Sequence, residues 1–216
     1  MKIKIIFFCF FLFFSFVTLA KTNRNTEVEN KNPVHKIVVF NVKDPFVQIK
    51  TYFGVISVEL YEYQTPQIVH AFLKLVHEGY FNETIFHRII DGVFIQTGGY
   101  DLSFRQKKLI LPTIQSNNKE TDLLNTEGTV VAVGSHGDTM KEFHFFVNLA
   151  KNTQFDSRAL SQKRNEVFGK IVKGLDVAQK IAHIKIGQKE NMYNVPFYSK
   201  EAEILKIERV EFKDIQ

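Results

Sequence analysis

The stretch Phe86–Gly99, with the sequence FHRIIDGVFIQTGG, joins two short apolar segments through an Asp-Gly pair. Asp-Gly between two such segments is a strong signal for a β-hairpin. Alternation along the hairpin places Arg88 and Gln96 outside the packed face, beside apolar neighbours. An arginine held beside aromatic residues on a rigid sheet can act as a directed hydrogen-bond donor. Spacing alone does not distinguish this role from that of a solvated surface arginine.

Further strands are predicted on both sides of this hairpin, because short apolar segments recur between turn residues. The predicted strands are Phe46–Tyr52, Val55–Leu60, Ile85–Ile90, Val93–Thr97, Thr129–Val133, Phe143–Leu149, Val167–Val172 and Ile204–Phe212.

Two helices are predicted between the strands. Thr65-Pro66 supplies an N-cap hydroxyl and a first-turn proline, and the helix that begins there ends at Gly79. A second helix fits Leu175–Ile184, directly after Gly174. Many strands and two helices that are distant in sequence indicate a mainly β protein, a closed antiparallel barrel with covered ends.

The N-terminal residues differ in composition from the rest of the chain. A basic start is followed by the apolar run Ile5–Val17 and by small residues up to Ala20, which predicts a signal peptide over residues 1–20. The alternative is an uncleaved anchor, but the run is shorter than the about 20 residues that span a bilayer. Residues 21–35 predict a flexible polar leader, and residues 36–216 a single domain.

Composition excludes several function classes. The chain has 28 Lys+Arg and 23 Asp+Glu and lacks a dense basic cluster, so we expect no nucleic-acid partner. The sole cysteine, Cys9, lies in the predicted signal, which leaves the mature chain without disulfide or thiol chemistry. The 7 histidines lack zinc-site spacing, and Gly98-Gly99 lacks the lysine and helix of a phosphate loop. We therefore expect no metal, no cofactor and no membrane contact after signal cleavage.

The chain from about Val47 to Phe212 resembles the cyclophilins. Phe86–Gly99 matches the family's FHR and Q-x-G-G signature, Gly128–Ala132 its GTxxMA strand, Phe145–Val147 its FFI strand, and Val167–Val177 its VFGKVxxGMDV segment. The short Gly79–Thr84 connection and the Gln106–Lys108 loop look most like the compact periplasmic bacterial branch. The resemblance implies a closed eight-stranded antiparallel β-barrel capped by two α-helices, and peptidyl-prolyl cis/trans isomerase activity.

The resemblance also implies roles for individual residues. Arg88 matches the catalytic arginine, which donates a hydrogen bond to the prolyl nitrogen. Gln96 matches the glutamine that positions the substrate backbone, and Phe146 matches the floor of the proline pocket. Further substrate-binding positions fall on Val93, Phe94, Val133, Gly134, His144, Gln154, Phe155 and Asn165.

Several of these positions depart from the family pattern. Val93-Phe94 stands where Phe-Met is usual, Gly134 where asparagine is common, and His144 where glutamine precedes the FF pair. Gln154 takes the place of a tryptophan or phenylalanine at the groove rim, Phe155 that of a leucine, and Asn165 that of a histidine or tyrosine. These changes predict a slower isomerase that binds cyclosporin weakly, because Gln154 removes a large apolar contact.

The sequence is compatible with two functions. The first is an isomerase that assists the folding of exported proteins by acting on Xaa-Pro segments of unfolded polypeptides. The second is a binding module or holdase with the same groove and little turnover. We expect a monomer in either case. The predicted signal places the protein in the periplasm of a Gram-negative bacterium, or otherwise in a secretory pathway or outside the cell, where Asn82 could accept a glycan.

Overall fold

The computed structural model describes residues 44–109, 114–115, 123–134, 139–140, 143–156 and 165–215. The predicted signal peptide and leader lie outside them. The strands are β1 (Phe46–Thr51), β2 (Gly54–Leu60), β3 (Thr84–Ile90), β4 (Phe94–Asp101), β5 (Ile114–Gln115), β6 (Thr129–Ala132), β7 (Thr139–Met140), β8 (Phe145–Asn148), β9 (Glu166–Lys173), β10 (Ile186–Lys189), β11 (Met192–Pro196) and β12 (Glu203–Val210). The helices are α1 (Pro66–His77) and α2 (Leu175–Ala182), with 3₁₀ turns at Thr153–Phe155, Ser199–Ala202 and Phe212–Asp214.

Eight of the strands close into one antiparallel barrel. Their order around it is β1-β12-β3-β4-β8-β6-β9-β2, and β2 returns to pair with β1. The remaining strands in the described residues form two small sheets, β10–β11 and β5–β7. The predicted closed eight-stranded barrel is therefore confirmed.

The barrel interior and both helices share one apolar core. Phe72 of α1 lies at its centre, with ring centroids 5.2 Å from Phe81, 5.5 Å from Phe145 and 5.2 Å from Phe168. The buried face of α2, from Val177 to Ala182, joins the same core. Aromatic rings at these separations make favourable edge-to-face and tilted contacts, which add to the free energy gained by burial.

Among the described residues, no helix combines the length and apolar character that a membrane crossing requires.

The start of α1 departs from the prediction in one detail. Pro66 does occupy the first turn, but the Thr65 side chain does not cap the helix. Its Oγ1 donates instead to the Tyr61 carbonyl oxygen at 3.0 Å. The hydroxyl is buried and finds this acceptor one turn earlier in the chain, so it is unavailable to the helix N–H groups.

The end of α1 is as predicted. Gly79 has φ +68°, its N–H donates to the Val76 carbonyl at 3.1 Å, and the Tyr80 N–H donates to the Leu75 carbonyl at 3.0 Å. These two bonds form a Schellman motif, in which glycine adopts the left-handed conformation at low cost.

The β10–β11 hairpin was not among the predicted strands. Ile186 and Tyr193 are exposed, so the segment lacks the buried alternation that identifies a strand. Two residues with positive φ, Glu190 and Asn194, interrupt the pattern further.

The second helix, α2, ends earlier than predicted, at Ala182 and not at Ile184.

Gly98 in β4 lies close against the backbone of Phe143 and His144, which precede the neighbouring strand β8. Its φ is +101°, and a Cβ atom there would overlap the Phe143 carbonyl oxygen and lie 2.9 Å from the His144 Cα. Both neighbours are backbone atoms, which cannot rotate away. The close approach therefore requires glycine at this position.

Replacing Gly98 by alanine should lower the free energy of unfolding by at least about 2 kcal/mol, because backbone strain and steric overlap add. The matched control is Gly92→Ala. Gly92 also has positive φ, but a Cβ there meets nothing within 4 Å, so only the strain of about 1–2 kcal/mol applies. Urea unfolding measures both variants, and equal losses of the free energy of unfolding would contradict the close backbone approach at Gly98.

His87 of β3 is a buried histidine, 5% exposed. Its Nδ1 atom finds no hydrogen-bond partner among the described residues. Burial, followed by the positive field of His144 and Arg88, lowers the pKa of His87 to about 3. The imidazole is therefore neutral in the folded protein at physiological pH.

The low pKa of His87 should make the folded protein sensitive to acid. Above about pH 6.5, His87 is neutral in both states. Between about pH 6.5 and the folded pKa of about 3, His87 binds a proton in the unfolded chain only. As the pH is lowered through this range, the free energy of unfolding should therefore fall by up to about 1.4 kcal/mol per pH unit. The free energy of unfolding should be measured by denaturant titration at pH 4 to 7 for the wild-type protein and for His87→Gln. Its slope against pH should be smaller in the variant by the contribution of up to one proton, about 1.4 kcal/mol per pH unit. Identical slopes in the two proteins would contradict a neutral buried His87.

Candidate active site on the outer face of the barrel

Arg88 lies at one end of a row of side chains that crosses five strands. Arg88 of β3 is opposite Gln96 of β4, and Gln96 is opposite Phe146 of β8. Phe146 in turn is opposite Val131 of β6, which is opposite Val167 of β9. Directly opposed residues of neighbouring strands share one face of a sheet. The register therefore brings the predicted Arg88, Gln96 and Phe146 together on one face.

This face is the outside of the barrel. Phe146, Val131 and Val167 belong to a small apolar cluster, whereas their neighbours Phe145 and Val147 belong to the barrel interior. The division follows from the two-residue period of a strand. The prediction that Phe145 and Phe146 point to opposite faces is confirmed.

The centre of the outer cluster consists of three phenylalanine rings, from Phe94, Phe146 and Phe155. The Phe94 centroid lies 5.3 Å from that of Phe146 and 5.7 Å from that of Phe155, and the Phe146 and Phe155 centroids are 5.6 Å apart. We call this set the ring cluster. The half-buried Val93 and Val133 pack against it.

The ring cluster explains how the exchanged residues at positions 93 and 94 still build an apolar surface. Val93 contributes a small side chain, and the ring comes from the next residue, Phe94. A further ring comes from Phe155 on the 3₁₀ turn Thr153–Phe155. Five predicted substrate-binding residues, Val93, Phe94, Val133, Phe146 and Phe155, therefore lie in one apolar group.

Arg88 stands at the edge of this group. Its Cζ atom is 5.1 Å from the centroid of the Phe94 ring, within the range of a cation–π contact. The side chain is exposed, and it makes no ion pair within the described part of the chain. Its guanidinium N–H groups can therefore donate to a molecule bound on the ring cluster.

Gln154, Gly134 and Asn165 flank the ring cluster. Gln154 is exposed on the same 3₁₀ turn as Phe155, and its Nε2 donates to the Asn152 Oδ1 at 3.3 Å. Gly134 follows β6 and Asn165 precedes β9, at the ends of strands that pair through Ala132 and Glu166. Both are half-buried. Their roles in substrate binding stay predictions.

His144 packs in a different group from the ring cluster. Its ring centroid is 5.2 Å from that of His87 and 5.7 Å from that of Tyr100. Its carbonyl oxygen accepts a hydrogen bond from the Val133 N–H at 2.9 Å. His144 thus binds, through its backbone, the residue that directly follows β6. A contact between its ring and substrate stays a prediction.

Sequence reasoning missed a group of buried polar side chains beside the ring cluster. Asn125, Asn148 and Asn152 are 1%, 0% and 4% exposed, and Asp156 bonds to the first of them at 2.9 Å. The available signal was an asparagine, Asn148, in the otherwise apolar segment Phe145–Leu149.

In the described residues, no group of three or more His, Cys, Asp or Glu side chains could hold a metal ion.

The geometry combines an apolar cluster, in which Phe94 and Phe146 are each 4% exposed and Phe155 is half-buried, with a cation at its edge and the Gln96 amide beside it. Such an arrangement offers apolar contacts together with hydrogen-bond donors of Arg88 and Gln96, the combination that small-ligand sites use.

Comparison with known proteins agrees with this chemistry. Residues 46–206 match the family model described as cyclophilin type peptidyl-prolyl cis-trans isomerase/CLD. A peptidyl-prolyl cis-trans isomerase of Acinetobacter baylyi is 33% identical over 69% of this chain and 78% of its own length. Peptidyl-prolyl cis-trans isomerase B of Escherichia coli is 32% identical over 69% of this chain and 92% of its own length.

Solved structures share the fold. A cyclophilin type peptidyl-prolyl cis-trans isomerase of Cryptosporidium parvum matches 78% of this chain and 98% of its own, with a TM-score of 0.57 and 22% identity. A second structure of that protein, determined in the presence of the dipeptide Ala-Pro, has a TM-score of 0.56 and covers 77% and 99% of the two chains. With the family match over most of the barrel, the chain belongs to the cyclophilin-type peptidyl-prolyl cis-trans isomerases and is an enzyme of that class.

Proposed function

We propose that this enzyme isomerises Xaa-Pro bonds by a hydrogen bond from Arg88 to the prolyl nitrogen while the ring cluster holds the proline ring. The observation that carries the proposal is the row Arg88, Gln96 and Phe146, opposed on neighbouring strands of the outer face. Gln96 lies between the cation and the apolar floor, where its amide can hold the substrate backbone.

The reaction requires only that the twisted peptide bond be favoured over the planar one. Amide resonance sets a barrier of about 18–20 kcal/mol, and no covalent bond is broken. The prolyl nitrogen becomes a better acceptor when it loses conjugation, so a donor placed there binds the transition state more tightly than the ground state. A gain of about 4 kcal/mol corresponds to roughly a thousandfold acceleration.

The substrates are proposed to be Xaa-Pro segments of unfolded or newly exported polypeptides. This part of the proposal is supported by the basic start, the apolar run Ile5–Val17 and the small residues before Ala20. In a Gram-negative host the enzyme would act in the periplasm. We propose that it works as a monomer there and assists folding steps that proline isomerisation limits.

Replacing Arg88 by alanine should lower kcat/KM on a short Xaa-Pro peptide by about a hundred- to a thousandfold, since the transition-state donor is lost. The peptide Kd should change by less than about threefold. Arg209→Ala is the matched control, because Arg209 is also an exposed arginine on a barrel strand but lies outside the row.

A loss of peptide affinity in Arg88→Ala with kcat unchanged would assign Arg88 to ground-state binding and overturn the proposed mechanism. If the wild-type protein bound the peptide but showed no turnover, the holdase alternative would replace it.

Cyclosporin should bind weakly, because Gln154 presents an exposed amide at the rim of the ring cluster. Gln154→Trp should tighten binding by about tenfold, the effect of restoring one large aromatic contact. Thr153→Trp, on the adjacent exposed position of the same turn, is the control and should leave the affinity unchanged. A nanomolar Kd for the wild-type protein in a fluorescence titration would contradict this interpretation of Gln154.

A further inference from the structure

The buried asparagines beside the ring cluster satisfy one another through a chain of hydrogen bonds. The Asn148 Nδ2 donates to the Asn125 Oδ1 at 3.0 Å and to the Thr129 Oγ1 at 2.9 Å. The Asn148 Oδ1 accepts from the Asn152 Nδ2 at 2.7 Å. Buried amides are costly unless their donors and acceptors are paired, so these side chains have a defined arrangement.

Asn152 connects three separate segments of the chain. Its Nδ2 also donates to the Val93 carbonyl oxygen at 2.9 Å, in the turn that leads into β4. Its backbone N–H donates to the Asn125 carbonyl oxygen at 2.8 Å, in the segment before β6. Through Asn148 it reaches the end of β8.

The 3₁₀ turn that carries Phe155 is fixed on both sides. Asn152 precedes the turn, and its carbonyl oxygen accepts the Phe155 N–H at 2.9 Å. Asp156 follows the turn, and its Oδ1 accepts the Asn125 backbone N–H at 2.8 Å and the Asn125 Nδ2 at 2.9 Å. Asn125 therefore binds the turn at both ends.

The same hydrogen bonds set the distance between two rings of the site. Phe94 follows Val93, whose carbonyl oxygen Asn152 holds, and Phe155 lies on the turn that Asn152 begins. The two ring centroids are 5.7 Å apart. We infer that Asn152 and Asp156 are positioning residues, which hold the Phe155 ring against Phe94 and Phe146 and thereby set the affinity for the proline ring. This inference rests on the proposed function, in which the ring cluster binds proline.

The sharpest test replaces Asn152 by aspartate, which has the same shape but no N–H donors. A carboxylate oxygen would then face the Val93 carbonyl oxygen and the Asn148 Oδ1, and repulsion would release the turn. We expect KM and Kd for an Xaa-Pro peptide to rise about tenfold, as for the loss of one aromatic contact, with kcat changed by less than about twofold.

Asp156 supplies a second, independent comparison. Asp156→Asn keeps an oxygen acceptor for both Asn125 bonds and should stay within about twofold of the wild-type KM, whereas Asp156→Ala should raise KM about tenfold. Thr153→Ala changes an exposed residue of the same turn and is the control. These variants keep the test decisive if Asn152→Asp does not fold.

A double-variant cycle with Phe155→Ala separates positioning from a purely structural role. If Asn152 acts through the Phe155 ring, Asn152→Asp should raise KM little or not at all once that ring is absent. Equal tenfold effects in both backgrounds, or a lower melting temperature with KM unchanged, would overturn the inference. Arg88→Ala in the same assay reports separately on the proposed mechanism, since full kcat in that variant would refute the donor role without altering the KM comparison.

Discussion

The register of β8 between β4 and β6 is the constraint on which both the core and the site depend. Phe145 packs on Phe72 inside the barrel, while Phe146 packs on Phe94 outside it. Because strand side chains alternate, a shift by one residue would exchange these two environments. The same hydrogen bonds that close the barrel therefore place Phe146 opposite Gln96, which is itself opposite Arg88 on the next strand.

The outer face keeps an apolar cluster beside Gln96 and Arg88 although several of its residues depart from the family pattern. Apolar area at the outer face depends on how many rings meet there and not on which position supplies each ring. Phe94 and Phe155 bring rings toward Phe146 from two different segments, and the buried amides hold those segments in register. Phe94 also touches Arg88, so the exchange at positions 93 and 94 links the apolar floor to the cation.

Sequence reasoning succeeded where a local period decides the structure. Alternation located the strands of the barrel, put Arg88 and Gln96 on one face and sent Phe145 and Phe146 to opposite faces, and Gly79 marked the end of α1. It failed where the hydrogen-bond partner of a side chain is set by the folded arrangement and not by a local pattern. The Thr65 hydroxyl bonds to Tyr61 and not to the helix, and the pairing of Asn148 with Asn125 depends on how β6 and β8 meet. No pattern within either segment encodes that pairing.

Closure of the barrel has a consequence for how the enzyme can bind a peptide substrate. Each of the eight barrel strands has a hydrogen-bonded neighbour on both sides, so within the described residues no barrel strand has one whole side free for an extended polypeptide to add as a further strand. Strand addition would capture a client along many backbone groups and release it slowly. Under the proposed function, a substrate bound through side chains of the outer face can instead leave as soon as one Xaa-Pro bond has turned, which would suit a catalyst that acts on many prolines in succession.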